Sequence, residues 1–185
     1  LDPNATGVLP ICIGKGTKIS EYLLDVDKEY IGQLTLGIAT DTQDSDGETI
    51  LSSAKVVNGD EIERSFMKFK GAIQQTPPMY SALKVNGKKL YELAREGKVI
   101  DRKSREVLIR DLIILNNYEN KEILFYTKCS RGTYIRTLCE DIGNDLGTYG
   151  HMSFLIRVGV GNFKIARSFS MDQLDNMSIE ELKKS

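Results

Sequence analysis

Apolar residues along this chain recur at two periods, and the switches between them mark out its elements. Ile62, Phe66, Phe69 and Ile73 stand three or four residues apart, the stripe by which an amphipathic helix buries one face. That spacing predicts a helix capped by Asp60 and ended by Pro77–Pro78. A second stripe, Ile135, Leu138, Ile142 and Leu146, predicts a helix running from a Thr133 cap through Leu146. Shorter helices are expected over residues 18–24 after Thr17, over 90–96, and at the polar end of the chain, 178–184. Between them lie β-rich runs at 28–38, 49–57, 106–115, 122–129 and 162–167, an extended stretch at 79–85, and a short segment around 154–157. Turns are expected at 44–47 and at Asn86–Gly87, and a polar linker over 116–121. The sum is an α+β domain: a mixed, mainly antiparallel sheet flanked by helices.

Composition narrows the class without choosing a function. With 185 residues, 41% of them hydrophobic and 28% charged, the chain has the balance of an ordinary globular domain. No apolar run reaches membrane-crossing length and no basic-then-apolar leader opens the sequence, so the expected setting is cytoplasmic, with no membrane partner. Cys12, Cys129 and Cys139 lack CxxC spacing and sit in or beside apolar stretches, which predicts buried free thiols rather than a disulfide or zinc site. The single histidine, His151, is expected to be structural. The net charge of −1 argues mildly against nucleic acid, but the charges are segregated. Residues 84–105 carry eight basic side chains against three acidic ones, whereas 41–61 carry six acidic side chains against Lys55 alone. Such a chain can still turn one positive face to phosphates.

Four strings could carry chemistry. In LDPNATGVLP, Pro3 stiffens the backbone and biases Asp2 toward an extended conformation, ahead of a reversal at Thr6–Gly7 into the apolar segment 8–13. A carboxylate held this way suits a nucleophile or general base, although LDP taken alone reads as a turn aspartate with no chemistry. In CSRGTYIRTLCEDIG, residues 129–143, Arg136 falls in the first turn of a helix, where the helix dipole disfavours a cation. A guanidinium spent there calls for an anionic partner; a solvated helix face is the even alternative. In PPMYSALKVNGKKLYELAREG, residues 77–97, Tyr80 and Tyr91 alternate with Lys84, Lys88, Lys89 and Arg95, as on a surface that tracks an RNA backbone, or as in a hairpin and helix with half-buried tyrosines. Tyr30, after Lys28-Glu29, opens a strand.

Taken together and in order, these strings, with SFLIRVGVGNF at 153–163, resemble the successive motifs of the TruB-type pseudouridine synthases, over residues 1–175. The resemblance implies the pseudouridine synthase fold and isomerisation of the T-loop uridine of transfer RNA: N-glycosidic cleavage, rotation of a flipped-out base, and C5–C1′ bond formation. It implies Asp2 as the catalytic aspartate, Tyr30 as the tyrosine that stacks on the target base and handles a proton, and Arg136 as the arginine that pairs with the aspartate and lowers its pKa. Tyr134 and Leu155 match pocket-lining positions, and Lys84, Lys88, Lys89 and Arg95 fall in the RNA-binding segment. Val158 departs from the threonine common after the family's arginine.

Because the reaction neither oxidises nor transfers a group, no cofactor and no metal are expected. The expected partner is the T-arm stem-loop of tRNA, bound by a monomer without an obligatory protein partner. Against the family pattern the chain is expected to be N-terminally truncated: residues 1–175 form an incomplete catalytic domain, and 176–185 a C-terminal helix or the start of an RNA-binding extension. The truncation is expected to weaken both folding and base flipping, enough to leave this chain itself inactive even where its parent is an enzyme. A non-catalytic RNA-binding module and a guide-RNA-dependent relative are the other two classes; the LDPNATGVLPICIG string and the acidic insert at 41–48 favour the stand-alone bacterial type.

Overall fold

Alternation builds the centre of the sheet. In the strand Lys28–Leu36, Gly32, Leu34 and Leu36 are buried while Ile31, Gln33 and Thr35 face the other side at intermediate exposure. The computed structural model describes residues 5–85 and 87–182. In chain order the elements are β1 (Thr6–Gly7), a 3₁₀ turn and α1 (Ser20–Asp25), β2 (Lys28–Leu36), β3 (Ile38–Thr40) and β4 (Thr49–Ser52). Next come α2 (Gly59–Lys68), β5 (Gly71–Gln75), β6 (Lys84–Val85), β7 (Lys88–Lys89), α3 (Leu90–Arg95), β8 (Arg105–Tyr118) and β9 (Glu122–Cys129). The chain continues through α4 (Ile135–Leu146), β10 (Gly150–Val160), β11 (Phe163–Lys164), α5 (Met171–Asp175) and α6 (Ile179–Leu182).

The main sheet runs β1-β10-β2-β9-β8-β5, with β11 folded back on β10. Every pairing in it is antiparallel except β1 with β10. The α+β, mainly antiparallel architecture expected from the patterning is the one observed. Helices α2 and α4 cover one face, and the core between sheet and helices comprises Leu34, Ile109, Ile123, Phe125, Ile62, Phe66, Leu138, Cys139 and Ile142. Phe66 meets Phe125 edge-on, with ring centroids 5.8 Å apart.

Several expectations are corrected. The cap of α2 is Asn58, not Asp60: its side chain accepts from the Glu61 amide at 3.0 Å and the Glu61 carboxylate accepts from the Asn58 amide at 2.8 Å. The helix stops at Lys68, Gly71 takes φ +102°, and Ile73 joins β5, opposite Val107. Residues 154–157 belong to one long strand, β10, and of the expected strand near 162–167 only Phe163–Lys164 is strand, the short return β11, followed by a 3₁₀ turn over Ile165–Arg167. Two register shifts in β10, at Met152/Phe154 and Arg157/Gly159, break the alternation that marks a strand in sequence. The first half of the polar linker 116–121 is strand, the end of β8, and the second half a turn with Glu119 and Asn120 at positive φ. Of the apolar segment 8–13 only Val8 is buried; Leu9, Ile11 and Ile13 are exposed. Thr17 does not cap a helix but bonds back to the Gly14 carbonyl, and Cys12 is half-exposed whereas Cys129 and Cys139 are buried. Residues 79–83 carry no strand; β6 and β7 pair around the expected turn, of which Asn86 lies outside the described residues, as do Lys183 and Lys184 of the C-terminal segment.

The start of α4 is held from the far side of the sheet. Thr133 does not cap it; its hydroxyl donates to the Ser130 carbonyl at 3.0 Å. The fully buried Gln75, at the end of β5, takes over. Its Oε1 accepts from the Tyr134 amide at 3.0 Å and its Nε2 donates to the Tyr134 carbonyl at 3.2 Å. Further along, Gly143 lies so close to β10 that a Cβ there would come within 2.3 Å of the Gly150 nitrogen. Gln75→Leu strands the Tyr134 amide in the interior, and urea unfolding should show a loss of about 2–3 kcal/mol.

Candidate active site

The site is assembled where the chain enters the sheet edge. Thr6 and Gly7 pair in parallel with Ile156 and Arg157, the Val8 amide donates to the Arg157 carbonyl at 2.8 Å, and Arg157 Nε donates back to the Val8 carbonyl at 2.8 Å. Gly7 stands at φ +113°, and a Cβ there would lie 2.2 Å from the Arg157 carbonyl oxygen, so glycine is required. On β2 and β10, Tyr30 opposes Arg157 and Gly32 opposes Leu155, which sets Tyr30 and Leu155 on one face as diagonal neighbours. Both are partly buried against the core. Gly32 leaves space that the Phe125 ring fills, since a Cβ would approach that ring to 2.9 Å.

Opposite this corner sits Arg136, 6% exposed in the first turn of α4. Its Nη1 donates to the Thr42 carbonyl at 3.0 Å and stands 3.4 Å from Asp44 Oδ2, while Nη2 donates to the Tyr80 carbonyl at 2.9 Å. One planar cation thus ties three separate segments, with Asp44 as an anionic partner. The Asp44 loop is internally braced. The other carboxylate oxygen accepts from the Thr42 hydroxyl and the Asp46 amide, and the Asp44 carbonyl accepts from the Thr40 hydroxyl at 2.6 Å. The loop joins β10 through Ser45 N to Met152 O at 3.1 Å and Met152 N to Gln43 O at 3.0 Å.

Two cavities share this loop. The larger, about 550 Å³, is lined by Thr42, Asp44, Asp46, Tyr80, Tyr91 and Arg136 among others, including Arg95. The smaller, about 70 Å³, lies between Ala5, Asp44, Asp46 and the Met152–Leu155 stretch of β10. Tyr91 and Arg95 of α3 line the larger one; Arg95, and Lys89 of β7, lie over the Tyr91 ring at 5.5 and 5.3 Å. Lys84 is exposed, and Lys88 and Lys98 pair with Glu96.

Of the residues singled out in the sequence, Tyr80, Tyr91, Arg95, Arg136 and Leu155 therefore converge on one connected region. Asp2 lies outside the described residues, and Ala5 is the first described residue, on the cavity wall. Tyr134 lines neither cavity; its ring is stacked under the Arg105 guanidinium at 5.1 Å. Asp44, Asp46, Gln43 and Gln75 were missed. The signal for the first three was the run TDTQDSDG, three aspartates interleaved with short polar residues, whose composition is also that of an ordinary acidic turn. His151 is structural, as expected, with Nδ1 3.1 Å from the Ile38 carbonyl.

Burial shifts several titratable groups. It raises the Cys129 thiol to about 12 and the Cys139 thiol higher still, so both stay protonated. Burial likewise raises Glu140, against the opposing effects of its hydrogen bond from Gln43 and the nearby Arg102. It pushes Asp141 up to about 6, with the Glu140 charge adding to the effect.

Known proteins share both the sequence and the fold of this region. The family model described as TruB family pseudouridylate synthase (N terminal domain) matches residues 1–135, and the tRNA pseudouridylate synthase B C-terminal domain matches 136–185. The chain is 49% identical over 183 residues to the tRNA pseudouridine synthase B of Francisella tularensis subsp. novicida (strain U112), covering 98% of this chain and 60% of that protein. It is 48% identical over 183 residues to the tRNA pseudouridine synthase B of Alkaliphilus oremlandii (strain OhILAs), covering 98% and 61%. The chain thus spans about 60% of the length of the curated relatives it matches. Among solved structures it resembles a chain of a Cbf5-Nop10-Gar1 complex, with TM-score 0.67, 30% identity, and coverage of 89% of this chain and 39% of that one. A chain of an H/ACA RNP bound to a substrate RNA containing 2′-deoxyuridine gives TM-score 0.62, 26% identity, and coverage of 89% and 38%. The fold and site define a pseudouridine-synthase-type domain. The chain belongs to the TruB family of pseudouridylate synthases.

Asp141 gives a test of the α4 environment. Its folded pKa lies above the ordinary carboxylate value, so the native state binds the proton more tightly, and stability falls as pH rises from about 4 through about 6. Asp141→Asn should match wild type in thermal melts at the acid end of that range and melt higher than wild type at neutral pH.

Proposed function

We propose that this chain isomerises a uridine of transfer RNA, the T-loop uridine, to pseudouridine. The observation that carries the reading is the buried Arg136–Asp44 pair at the junction of two cavities, with Ala5, three residues after Asp2, on the wall of one of them.

In this reading Asp2 is the essential residue. It attacks the base or the sugar, or assists departure of the base by its charge. The N1–C1′ bond breaks, the uracil turns, the C5–C1′ bond forms, and the proton on C5 leaves as N1 gains one. No electron is gained or lost overall, so the chemistry calls for neither a redox cofactor nor a metal. Tyr30 stacks on the extruded base, and Leu155 contributes to its pocket; Tyr134, packed against Arg105 outside both cavities, supports that wall from behind. Stacking offsets an unstacking cost of roughly a few kcal/mol. Arg136 orients the catalytic carboxylate and holds it ionised. Lys84, Lys88, Lys89 and Arg95 follow the phosphate backbone, with Tyr91 held between Lys89 and Arg95 as a rigid platform.

The protein works as a monomer on the T-arm stem-loop without a protein partner, in the cytoplasm. The buried free thiols of Cys129 and Cys139 are compatible with that reducing compartment. No helix among the described residues is long and apolar enough to cross a membrane. The identity to bacterial tRNA pseudouridine synthases favours this over a guide-dependent enzyme.

The test is release of tritium from a T-arm stem-loop carrying uridine tritiated at C5, using the full-length protein without metal or partner. Wild type should release it. Asp2→Asn should lower release by at least about 10³-fold while RNA binding stays within a few-fold. Release that persists in Asp2→Asn removes the catalytic assignment, and binding without release in wild type points to a guided or non-catalytic protein.

A further inference from the structure

Gln43 holds a conformation that a side chain other than glycine rarely adopts, φ +66°, in the middle of the loop that presents Asp44 to Arg136. Its side chain does not point to solvent. Oε1 accepts from the Thr137 hydroxyl at 2.9 Å, and Nε2 donates to the Glu140 carboxylate. Thr137 is buried, and Thr137 and Glu140 lie three residues apart on α4, hence on one side of it. Arg136 and Glu140 are four apart and share that side.

Three consecutive loop residues therefore grip three residues of the first turns of α4. The Thr42 carbonyl takes Arg136, the Gln43 amide spans Thr137 and Glu140, and the Asp44 carboxylate takes Arg136 again. The middle grip needs a group that accepts on one side and donates on the other. An amide does both; a carboxylate facing Glu140 cannot donate. The Gln43 backbone is fixed as well, its carbonyl accepting from Met152 N at 3.0 Å.

We propose that Gln43 is a positioning residue: its amide, shared between Thr137 and Glu140, sets the Asp44 carboxylate against the Arg136 guanidinium and so aligns the site for reaction. Its effect on turnover rests on the proposed function; its effect on the loop does not.

The test is an exchange of partners in the full-length protein. Q43E sets two carboxylates against each other, and kcat on the tritiated stem-loop should fall by roughly 10–100-fold with KM for RNA within about twofold. E140Q should stay close to wild type, because the new side-chain carbonyl still accepts from Gln43. Q43E/E140Q restores one donor and one acceptor in swapped places, and kcat should return to within about threefold of wild type. Hydrogen exchange of the 41–47 amides should rise in Q43E and recover in the swapped pair, whether or not the protein turns over RNA.

Wild-type kcat and unchanged exchange in Q43E would overturn the proposal. So would a swapped pair that is folded by thermal melting yet no more active than Q43E. If Q43E itself fails to fold, the swapped pair decides. An inactive wild type overturns the functional reading, and the exchange data then decide the clamp separately.

Discussion

A permanently charged guanidinium placed almost out of contact with water must be met by anions and carbonyls from several directions, and Arg136 meets that demand by drawing three segments together. The Thr42–Asp44 loop and the segment around Tyr80 both bring acceptors to its nitrogens, and are thereby tied to the start of α4 that carries it. Buried pairs of this kind add little net stability compared with apolar packing, but removing one partner is expensive. Such a pair therefore selects one arrangement of the loops over others. Here the selected arrangement leaves two cavities, one larger and one smaller, both lined by the Asp44 loop.

The frame behind Arg136 explains why that arrangement can be rigid. Gln75 fixes the residue that opens α4 to the far edge of the sheet, and the close approach of Gly143 to Gly150 fixes the helix end to β10. The apolar stripe of α4 packs on the sheet in between. Across the cleft, β1 is locked to β10 by Gly7 and Arg157. Both walls thus rest on the same sheet, and the residues between them inherit its precision.

Much of this was legible in the sequence, for identifiable reasons. The α4 stripe announces itself because four apolar residues at helical spacing have one economical burial. Arg136 stood out because a cation in the first turn of a helix needs an explanation. Other features hid. Ile73 continues the α2 stripe in spacing only, since the chain turns at Gly71 and enters β5. The two bulges of β10 disguise an eleven-residue strand as fragments. Asp44 was invisible as a partner because short polar residues around aspartates look the same in a solvated turn and in a braced ion pair. Gln75 was invisible because its role depends on a helix start 59 residues away in sequence. Local pattern reports periodicity; it does not report which polar atoms meet after folding.

The central claim is that Arg136 and Asp44 act as one unit in building the reactive site. A double-mutant cycle on pseudouridine formation, with Arg136→Met, Asp44→Asn and both together, measures that directly. If the pair is the junction of the site, each single change lowers turnover severely and the double variant is scarcely worse than either alone. Losses that simply multiply would mean that the two side chains act independently, and would contradict the claim.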